Sequence, residues 1–356
     1  MAKVADCDLE GSSLMRAVAF RKSLPISDPE ALIDIELERP EPRGRDLLVK
    51  VEAVSVNPVD TKVRRGGDPP RGEARVLGWD AAGTIETIGA DVSLFARGEA
   101  VYYAGSRSRP GANAQYHLVD ERIVARKPKT LSFAEAAALP LTAITAWELI
   151  FDRIGVARGA GADRRSMLIV GGAGGVGSMA IQLARKLTGL RVIATASRGV
   201  TRDWVRMLGT HHVIDHSKGL AAELKAIGFP AVDIVLGLTG TAQHAPTFAD
   251  VIAPQGRLGL IEGAAALASV DPGLLFNKSI SVHLELMFTR AMFATDDMIE
   301  QHRLLSEVAE LVDAGVIRTT LREIVGPIDA KHLIRAHRAL ESGTTVGKLV
   351  LEGWPT

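Results

Sequence analysis

The fold of this chain is decided by the stretch Gly172-Ala173-Gly174-Gly175-Val176-Gly177, which comes just after the apolar run Met167–Val170. The run is short and continuously apolar, as expected of a buried strand. Apolar residues recur at helical spacing over the next segment, Ser178–Leu187. A strand, a glycine-dense turn and a helix in this order predict a turn that binds the pyrophosphate of a dinucleotide.

Each position of this turn has a predicted role. Gly172 permits the tight turn, Gly174 lets the backbone approach the phosphates, and Gly177 lets the helix pack on the strand. Gly175 and Val176 would present free N–H groups at the positive end of the helix dipole. A second β-run, Arg191–Thr195, follows the helix and completes the expected βαβ unit.

Length and composition limit the classes of protein to which this chain can belong. The 356 residues are too many for one ordinary core, so two domains are expected. The formal net charge of zero gives no indication of a nucleic-acid partner. No apolar run approaches the roughly 18 residues of a membrane span, and no export signal opens the chain. A single cysteine, Cys7, excludes an internal disulfide, so the sequence predicts a cytoplasmic protein.

The pattern along the chain divides it into parts. Residues 1–14 show no periodicity and are expected to form a flexible tail. From 15 to 140, short β-runs broken by Gly and Pro indicate a compact, barrel-like β domain. Strands and helices then alternate, which predicts a doubly wound parallel sheet over 141–314. The segment 315–356 returns to short strands and is expected to rejoin the first domain.

The residues after the second strand bear on the choice of cofactor. NAD-binding turns usually place a carboxylate here for the ribose 2′-hydroxyl. This chain has Ser197 and Arg198 instead, which suit a 2′-phosphate and favour NADPH over NADH. Arg202 is an alternative phosphate ligand, and His216 is a candidate to flank the adenosine.

Several separated stretches together resemble the medium-chain dehydrogenase/reductase superfamily, and most closely its quinone oxidoreductase branch, often labelled zinc-type alcohol dehydrogenase-like. They are the glycine turn together with Val56-Asn57-Pro58-Val59-Asp60, Leu77-Gly78-Trp79-Asp80-Ala81-Ala82-Gly83 and Leu139-Pro140-Leu141-Thr142-Ala143. The resemblance covers residues 15–353. It implies a GroES-like catalytic domain, a Rossmann domain, a catalytic cleft between them and a homodimer joined through the Rossmann sheets.

The sequence departs from the alcohol dehydrogenase pattern at the metal. Zinc-dependent relatives hold the catalytic ion with a Cys near Asp60, a His where this chain has Trp79, and a further Cys or acidic residue. The chain also lacks the four-cysteine structural zinc loop. His117, Asp60 and Asp80 would make only a makeshift ligand set, and a catalytic zinc site needs three converging protein ligands. No metal site is therefore predicted.

Without a Lewis acid, hydride transfer favours an acceptor that spreads its developing charge unaided. A quinone or an α,β-unsaturated carbonyl does this, and a simple ketone does not. The resemblance places Asn57 beside the nicotinamide, Thr142 near its ribose and Trp79 at the pocket wall. Asp60 is a candidate to orient neighbours or relay a proton, and Asp80 is another. Each of the three tyrosines is expected to pack on a β-surface rather than donate a proton.

Loops at the carboxyl ends of the parallel strands should face the nicotinamide. Leu238 and Ile261 follow the fourth and fifth strands and are predicted to contact the cofactor there. The resemblance places Met287–Arg290 at the substrate cleft, although such a cluster is more often core. Lys348 is expected to be a solvated lysine. The alternative is that its side chain reaches the cofactor.

The sequence therefore predicts an NADPH-dependent reductase of quinones or enones, with a small-molecule substrate and neither a nucleic-acid nor a membrane partner. Two alternatives remain open. One is a zinc-dependent alcohol dehydrogenase with unusual ligands. The other is a non-catalytic NADPH-binding protein, like the crystallin-type members of the family.

Overall fold

The structure is a computed structural model that describes residues 14–159, 161, 163–263 and 267–355. The strands are β1 (Leu14–Phe20), β2 (Ile33–Glu38), β3 (Asp46–Ser55), β4 (Arg75–Val76), β5 (Asp80–Ile88), β6 (Ala100–Ala104), β7 (Tyr116–Asp120), β8 (Val124–Arg126), β9 (Ser166–Val170), β10 (Arg191–Thr195), β11 (His212–Ile214), β12 (Val232–Gly237), β13 (Ile252–Leu260), β14 (Ser281–Leu284), β15 (Leu321–Gly326) and β16 (Lys348–Glu352). Cys7 and the expected tail lie outside the described residues, apart from Leu14, which opens β1.

The α-helices are α1 (Pro58–Arg65), α2 (Phe133–Ala137), α3 (Pro140–Trp147), α4 (Gly175–Leu187), α5 (Gly199–Met207), α6 (Leu220–Ala226), α7 (Thr241–Val251), α8 (Pro272–Asn277), α9 (Thr289–Phe293), α10 (Glu300–Asp313) and α11 (Ala330–Glu341). A π-helical segment, Glu148–Arg153, continues α3. Short 3-10 turns span Glu121–Ile123 and His216–Lys218.

The parallel sheet has the spatial order β11-β10-β9-β12-β13-β14. In chain order this is 3-2-1-4-5-6, the doubly wound order, in which the direction of winding reverses between β9 and β12. All five residues of β9 are buried, because helices cover both faces of the sheet. The predicted Rossmann sheet is confirmed, and the reversal point puts the glycine turn at its carboxyl edge.

The second large sheet has the path β15-β16-β3-β5-β6-β8, with β7 also pairing with β3. A three-stranded sheet, β2-β1-β4, lies beside it, and a bridge between Ala17 and Ala114 adds a further backbone pairing to β1. This is the predicted GroES-like, β-rich architecture. The strands β15 and β16, from the end of the described chain, join the same sheet as β3.

Local signals explain where elements begin. The capping box predicted at Ser132 is present, because the Glu135 N–H donates to Ser132 Oγ and the Ser132 N–H donates to the Glu135 carboxylate. The sequence predicted only short strands after residue 314, but α11 lies between β15 and β16. These two strands pair in parallel, so the chain needs a crossover, and a helix supplies it.

One helical stretch, Phe133–Arg153, is long and apolar enough to cross a membrane by length and composition. However, 89% of its apolar window is buried inside the protein. It is packed as a core helix of the fold.

Candidate active site

The glycine turn reverses one residue earlier than the sequence pattern suggests. Gly171 has a φ of +89°, in the left-handed region that favours glycine, whereas the prediction assigned the tight turn to Gly172. At Gly172 a side chain would meet Ala194 Cβ at 2.8 Å, so a glycine is required here for the turn to pack against β10. A Cβ on Gly177 would lie 2.2 Å from the Gly171 carbonyl oxygen, which agrees with its predicted role in helix packing.

The open side of the turn is formed by Gly174. A Cβ there would find only the Gly171 carbonyl within contact distance, at 3.5 Å. Gly174 is also the N-cap of α4, so no side chain caps the helix. The first N–H groups of a helix have no hydrogen-bond acceptor within the helix. In α4 these are the N–H groups of Gly175, Val176 and Gly177, which lie at the glycine turn. This arrangement fits the pyrophosphate of a dinucleotide.

At the carboxyl end of β10, Ser197 is half-buried and Arg198 is exposed. Arg198 Nη2 donates to the Thr344 carbonyl at 2.8 Å. Arg202, the alternative phosphate ligand, is instead engaged with Asp215 at 2.8 Å and with the Ala196 carbonyl. The structure therefore leaves Arg198 as the more available of the two arginines.

His216 opens the 3-10 turn after β11 and lies edge-on to His244, with ring centroids 5.6 Å apart. Its Nδ1 is buried and has no hydrogen-bond partner among the described residues. Leu238, which is buried, and Ile261, which is half-buried, follow β12 and β13 at the same edge of the sheet. The structure thus brings these predicted cofactor residues to the carboxyl edge, where the glycine turn also lies.

A buried polar cluster, formed by Asn57, Asp60, Asp80 and Lys348, lies against the turn from the other sheet. Lys348 Nζ is 2.9 Å from Asp80 Oδ2 and donates to Asn57 Oδ1. Asn57 Nδ2 donates to the same Asp80 oxygen at 2.8 Å, and Asp80 Oδ1 accepts from the Leu141 N–H at 2.7 Å. Both Nδ2 hydrogens of Asn57 are directed at protein acceptors, because Nδ2 also approaches the Ser55 carbonyl at 3.4 Å.

This polar cluster corrects the expectation of a solvated Lys348. The residue is only 4% exposed, because Asp80 compensates its charge away from water. A Cβ on Gly175 would meet the Lys348 side chain and Thr142 Cγ2, both at 2.9 Å. Thr142 keeps its hydroxyl on the Leu139 carbonyl and turns its methyl group towards the turn. The aliphatic part of the Lys348 side chain therefore packs beside Gly175, so that β16 contacts the start of α4.

Asp60 stands out in the cluster because one of its oxygens is unused. Its Oδ2 accepts from the Asn57 N–H at 2.7 Å, whereas its Oδ1 is buried without a partner among the described residues. Burial raises the pKa of Asp60 to about 7, against the opposing influences of the Asn57 N–H and the charge of Lys348. The carboxyl group is thus partly protonated near neutral pH.

Trp79 is fully buried beside the cluster. Its Nε1 donates to the Ser106 carbonyl at 3.2 Å, and its ring lies edge-on to Phe288 at a centroid distance of 5.7 Å. Phe288 comes shortly after β14 and Trp79 directly before β5, so the two rings form an aromatic contact between segments that belong to different sheets. The structure places Trp79 in the hydrophobic core.

The residues present do not fit a catalytic zinc ion. No group of three His, Cys, Asp or Glu side chains that could hold a metal occurs in the described part of the chain. Of the makeshift set, Asp80 is paired with Lys348, and His117 is hydrogen-bonded to Tyr103 Oη and the Pro110 carbonyl, both at 3.0 Å. Burial lowers the pKa of His117 to about 4. A ligand set would require these contacts to break.

The tyrosines pack as the sequence predicted. Tyr102 donates to the Leu305 carbonyl at 2.6 Å, Tyr103 stacks on His117, and Tyr116 lies under the Arg39 guanidinium. Burial raises the pKa of Tyr102 and of Tyr103.

Sequence reasoning missed a second buried charge cluster, below the segment that carries Phe288. Glu148 Oε1 accepts from Arg290 at 2.7 Å, and Glu285 Oε2 accepts from Arg153 at 2.8 Å. Both glutamates are buried. The signal that was available is the charge of Glu148 within the otherwise uncharged run 137–151.

The Glu285→Gln substitution should weaken the dependence of stability on pH. Burial, followed by the like charge of Glu148, raises the pKa of Glu285 from 4.5 to about 8, although Arg153 opposes the shift. Between these values the folded state holds a proton that the unfolded state has released, so stability falls as pH rises through this window. Urea unfolding at pH 5, 7 and 9 should show a flatter profile for the variant. An unchanged profile would mean that Glu285 is ionised throughout.

Comparisons with known proteins agree with this fold. A family model of the alcohol dehydrogenase GroES-like domain matches residues 43–129, and one described as zinc-binding dehydrogenase matches residues 208–351. A zinc-type alcohol dehydrogenase-like protein of Staphylococcus epidermidis is 38% identical over 95% of this chain and 99% of its own. The 2-methylene-furan-3-one reductase of Solanum lycopersicum is 29% identical over 89% of this chain and 74% of its own.

Solved structures show the same fold. A candidate zinc-dependent alcohol dehydrogenase from Rhizobium etli is 56% identical, with a TM-score of 0.91 over 97% of this chain and 99% of that one. The quinone oxidoreductase of Escherichia coli, solved with NADPH, is 26% identical, with a TM-score of 0.79 over 95% of this chain and 99% of that one. The sequence identity to these relatives extends over nearly the full length of this chain, and the Rossmann and GroES-like sheets are both present. This chain is therefore an oxidoreductase and belongs to the medium-chain dehydrogenase/reductase superfamily.

Proposed function

We propose that this protein is an NADPH-dependent reductase that transfers hydride to a quinone or an α,β-unsaturated carbonyl without catalytic zinc. One observation carries the proposal: the uncapped glycine turn meets a buried Lys348–Asp80 ion pair, in the region where zinc-dependent relatives hold their metal. The names of the tomato reductase and the Escherichia coli quinone oxidoreductase support this substrate class.

The preference for NADPH rests on the end of β10. The carboxylate that usually binds the ribose 2′-hydroxyl is replaced by Ser197 and Arg198. Arg198 is exposed, and the described residues give its guanidinium one backbone carbonyl as its partner. Its remaining N–H groups suit a 2′-phosphate.

When bound, the nicotinamide supplies the hydride. The N–H groups at the start of α4 would hold the pyrophosphate, and Thr142 and the Lys348 stem fix Gly175 from behind. Asn57 is hydrogen-bonded to both Lys348 and Asp80, so its proposed role is to hold these two side chains in position. Its side-chain amide is not free to donate a hydrogen bond to the substrate. The partnerless Oδ1 of Asp60, with a pKa raised to about 7, supports a role for this carboxyl group in holding a proton during the reaction.

The test is turnover by chelator-treated protein with NADPH or NADH, using 1,4-naphthoquinone and benzylideneacetone and following the nicotinamide absorbance. NADPH-preferring turnover that survives metal removal supports the proposal. Activity lost on chelation and restored by zinc would favour the zinc-dependent alternative. Tight NADPH binding with no turnover across a broad acceptor panel would favour the non-catalytic alternative.

The Arg198→Ala substitution should raise the KM for NADPH about 10- to 100-fold and leave that for NADH within twofold. The reason is that a charge-assisted hydrogen bond contributes about 1.5–3 kcal/mol and only NADPH carries the 2′-phosphate. Arg202→Ala serves as the matched control, because Arg202 is already paired with Asp215. Equal effects on both cofactors would overturn the assignment.

We further propose the domain division 15–140 with 315–356, and 141–314, and a cytoplasmic homodimer joined edge to edge through β14. The edge position of β14 supports this mode of assembly, since it leaves one side of the strand without a partner in the sheet and Leu284 is 52% exposed there.

A further inference from the structure

Arg107, in the loop after β6, is a sheltered cation without a counterion in the described part of the chain. Its Nε is out of contact with solvent, and no described residue accepts a hydrogen bond from it. A nearby arginine shows the usual arrangement: Arg109 binds both Asp46 oxygens, at 2.7 and 3.1 Å. The residue as a whole is half-buried, so an anion bound by the terminal Nη groups would compensate a charge that has no protein partner among the described residues.

Arg107 also lies in the right place to meet a substrate. Its guanidinium carbon is 5.9 Å from the centroid of the Phe288 ring, which in turn contacts Trp79. Phe288 follows the carboxyl end of β14, the edge of the sheet at which ligands bind. Trp79 directly precedes Asp80 of the polar cluster. Arg107 therefore lies one aromatic ring away from Trp79.

We infer that Arg107 is a specificity-determining residue that binds a carboxylate carried by the acceptor. This inference rests on the proposed function. The planar guanidinium matches a carboxylate through two parallel hydrogen bonds, and the Phe288 ring beneath it favours a cation at that position. A neutral acceptor leaves the cation unpaired, so the site selects for an anionic one.

The test compares two acceptors that differ by one carboxylate group: benzylideneacetone and its para-carboxylate. The wild type should prefer the carboxylate, and Arg107→Gln should lower kcat/KM for it about 10- to 100-fold while changing the neutral acceptor less than twofold. Arg122→Gln is the matched control, because Arg122 is already paired with Asp120. An equal loss with both acceptors, or no preference in the wild type, would overturn the inference.

A binding measurement separates this inference from the proposed function. Calorimetry would compare 4-(3-oxobutyl)benzoate with 4-phenylbutan-2-one, the saturated counterparts of the two acceptors, on wild type and Arg107→Gln. Tighter binding of the benzoate that is lost in the variant supports the inference even if neither acceptor is reduced. Equal binding of both ligands to the wild type overturns it. Thermal unfolding of the variant confirms that it is folded.

Discussion

We expect Lys348→Met to lower the free energy of unfolding by about 3–5 kcal/mol, the cost of leaving a buried partner charge uncompensated. Asp80 is fully buried and lies 2.9 Å from Lys348 Nζ. Methionine keeps most of the apolar stem beside Gly175, so the loss reports the ammonium group, that is, its charge and its hydrogen bonds to Asn57 and the Val56 carbonyl. Urea unfolding of the apoprotein at pH 7 measures it.

The control is the double variant Lys348→Met with Asp80→Asn. An asparagine at 80 still accepts from the Leu141 N–H, and the Asn57 amide can rotate to present its oxygen to the new amide group. We therefore expect the double variant to recover at least half of the stability lost by the single one. A single-variant loss below about 1 kcal/mol, the scale of a solvent-exposed pair, would show that water reaches this ion pair.

We expect Gly177→Ala to destabilise the apoprotein by about 3 kcal/mol or more and to abolish measurable dinucleotide binding. The new Cβ would lie 2.2 Å from the Gly171 carbonyl oxygen and 2.8 Å from Gly172 Cα. Both contacts are with backbone, which cannot swing aside as a side chain would, so overpacking here is costly. Thermal unfolding and calorimetric titration with NADPH measure the two effects.

Gly174→Ala is the contrasting variant. Its Cβ would make only an ordinary contact, at 3.5 Å, so the apoprotein should keep its stability. Because this face is open towards the predicted pyrophosphate, the same methyl group should still weaken NADPH binding. If Gly174→Ala bound NADPH as tightly as the wild type, the phosphates would not pass over this residue.

Much of the architecture was predictable because it follows from local patterns. Continuous apolar runs alternating with helices indicated the parallel sheet, and the spacing of Ser132 and Glu135 indicated the start of a helix. The exception, α11, arises from the parallel pairing of β15 and β16, which no local pattern reveals. Likewise, glycine spacing located the turn, but only backbone geometry shows that the left-handed residue is Gly171.

The chemistry of the site was less predictable because it depends on contacts between distant parts of the chain. Lys348 meets Asn57 and Asp80 only after β16 pairs with β3. A lysine taken alone is most often solvated, so its burial follows from its partners rather than from its type. Arg107 gave no sequence signal, because its lack of a counterion is a property of the folded surroundings.

The position of Lys348 has a consequence for the order of events during synthesis. The polar cluster and the support behind Gly175 both need a residue that the ribosome adds long after the glycine turn. At about 5–20 residues per second, the delay between Gly175 and Lys348 is roughly ten to thirty-five seconds. A nascent chain therefore carries the turn before it carries the lysine, and the support behind Gly175 is completed only when β16 pairs with β3.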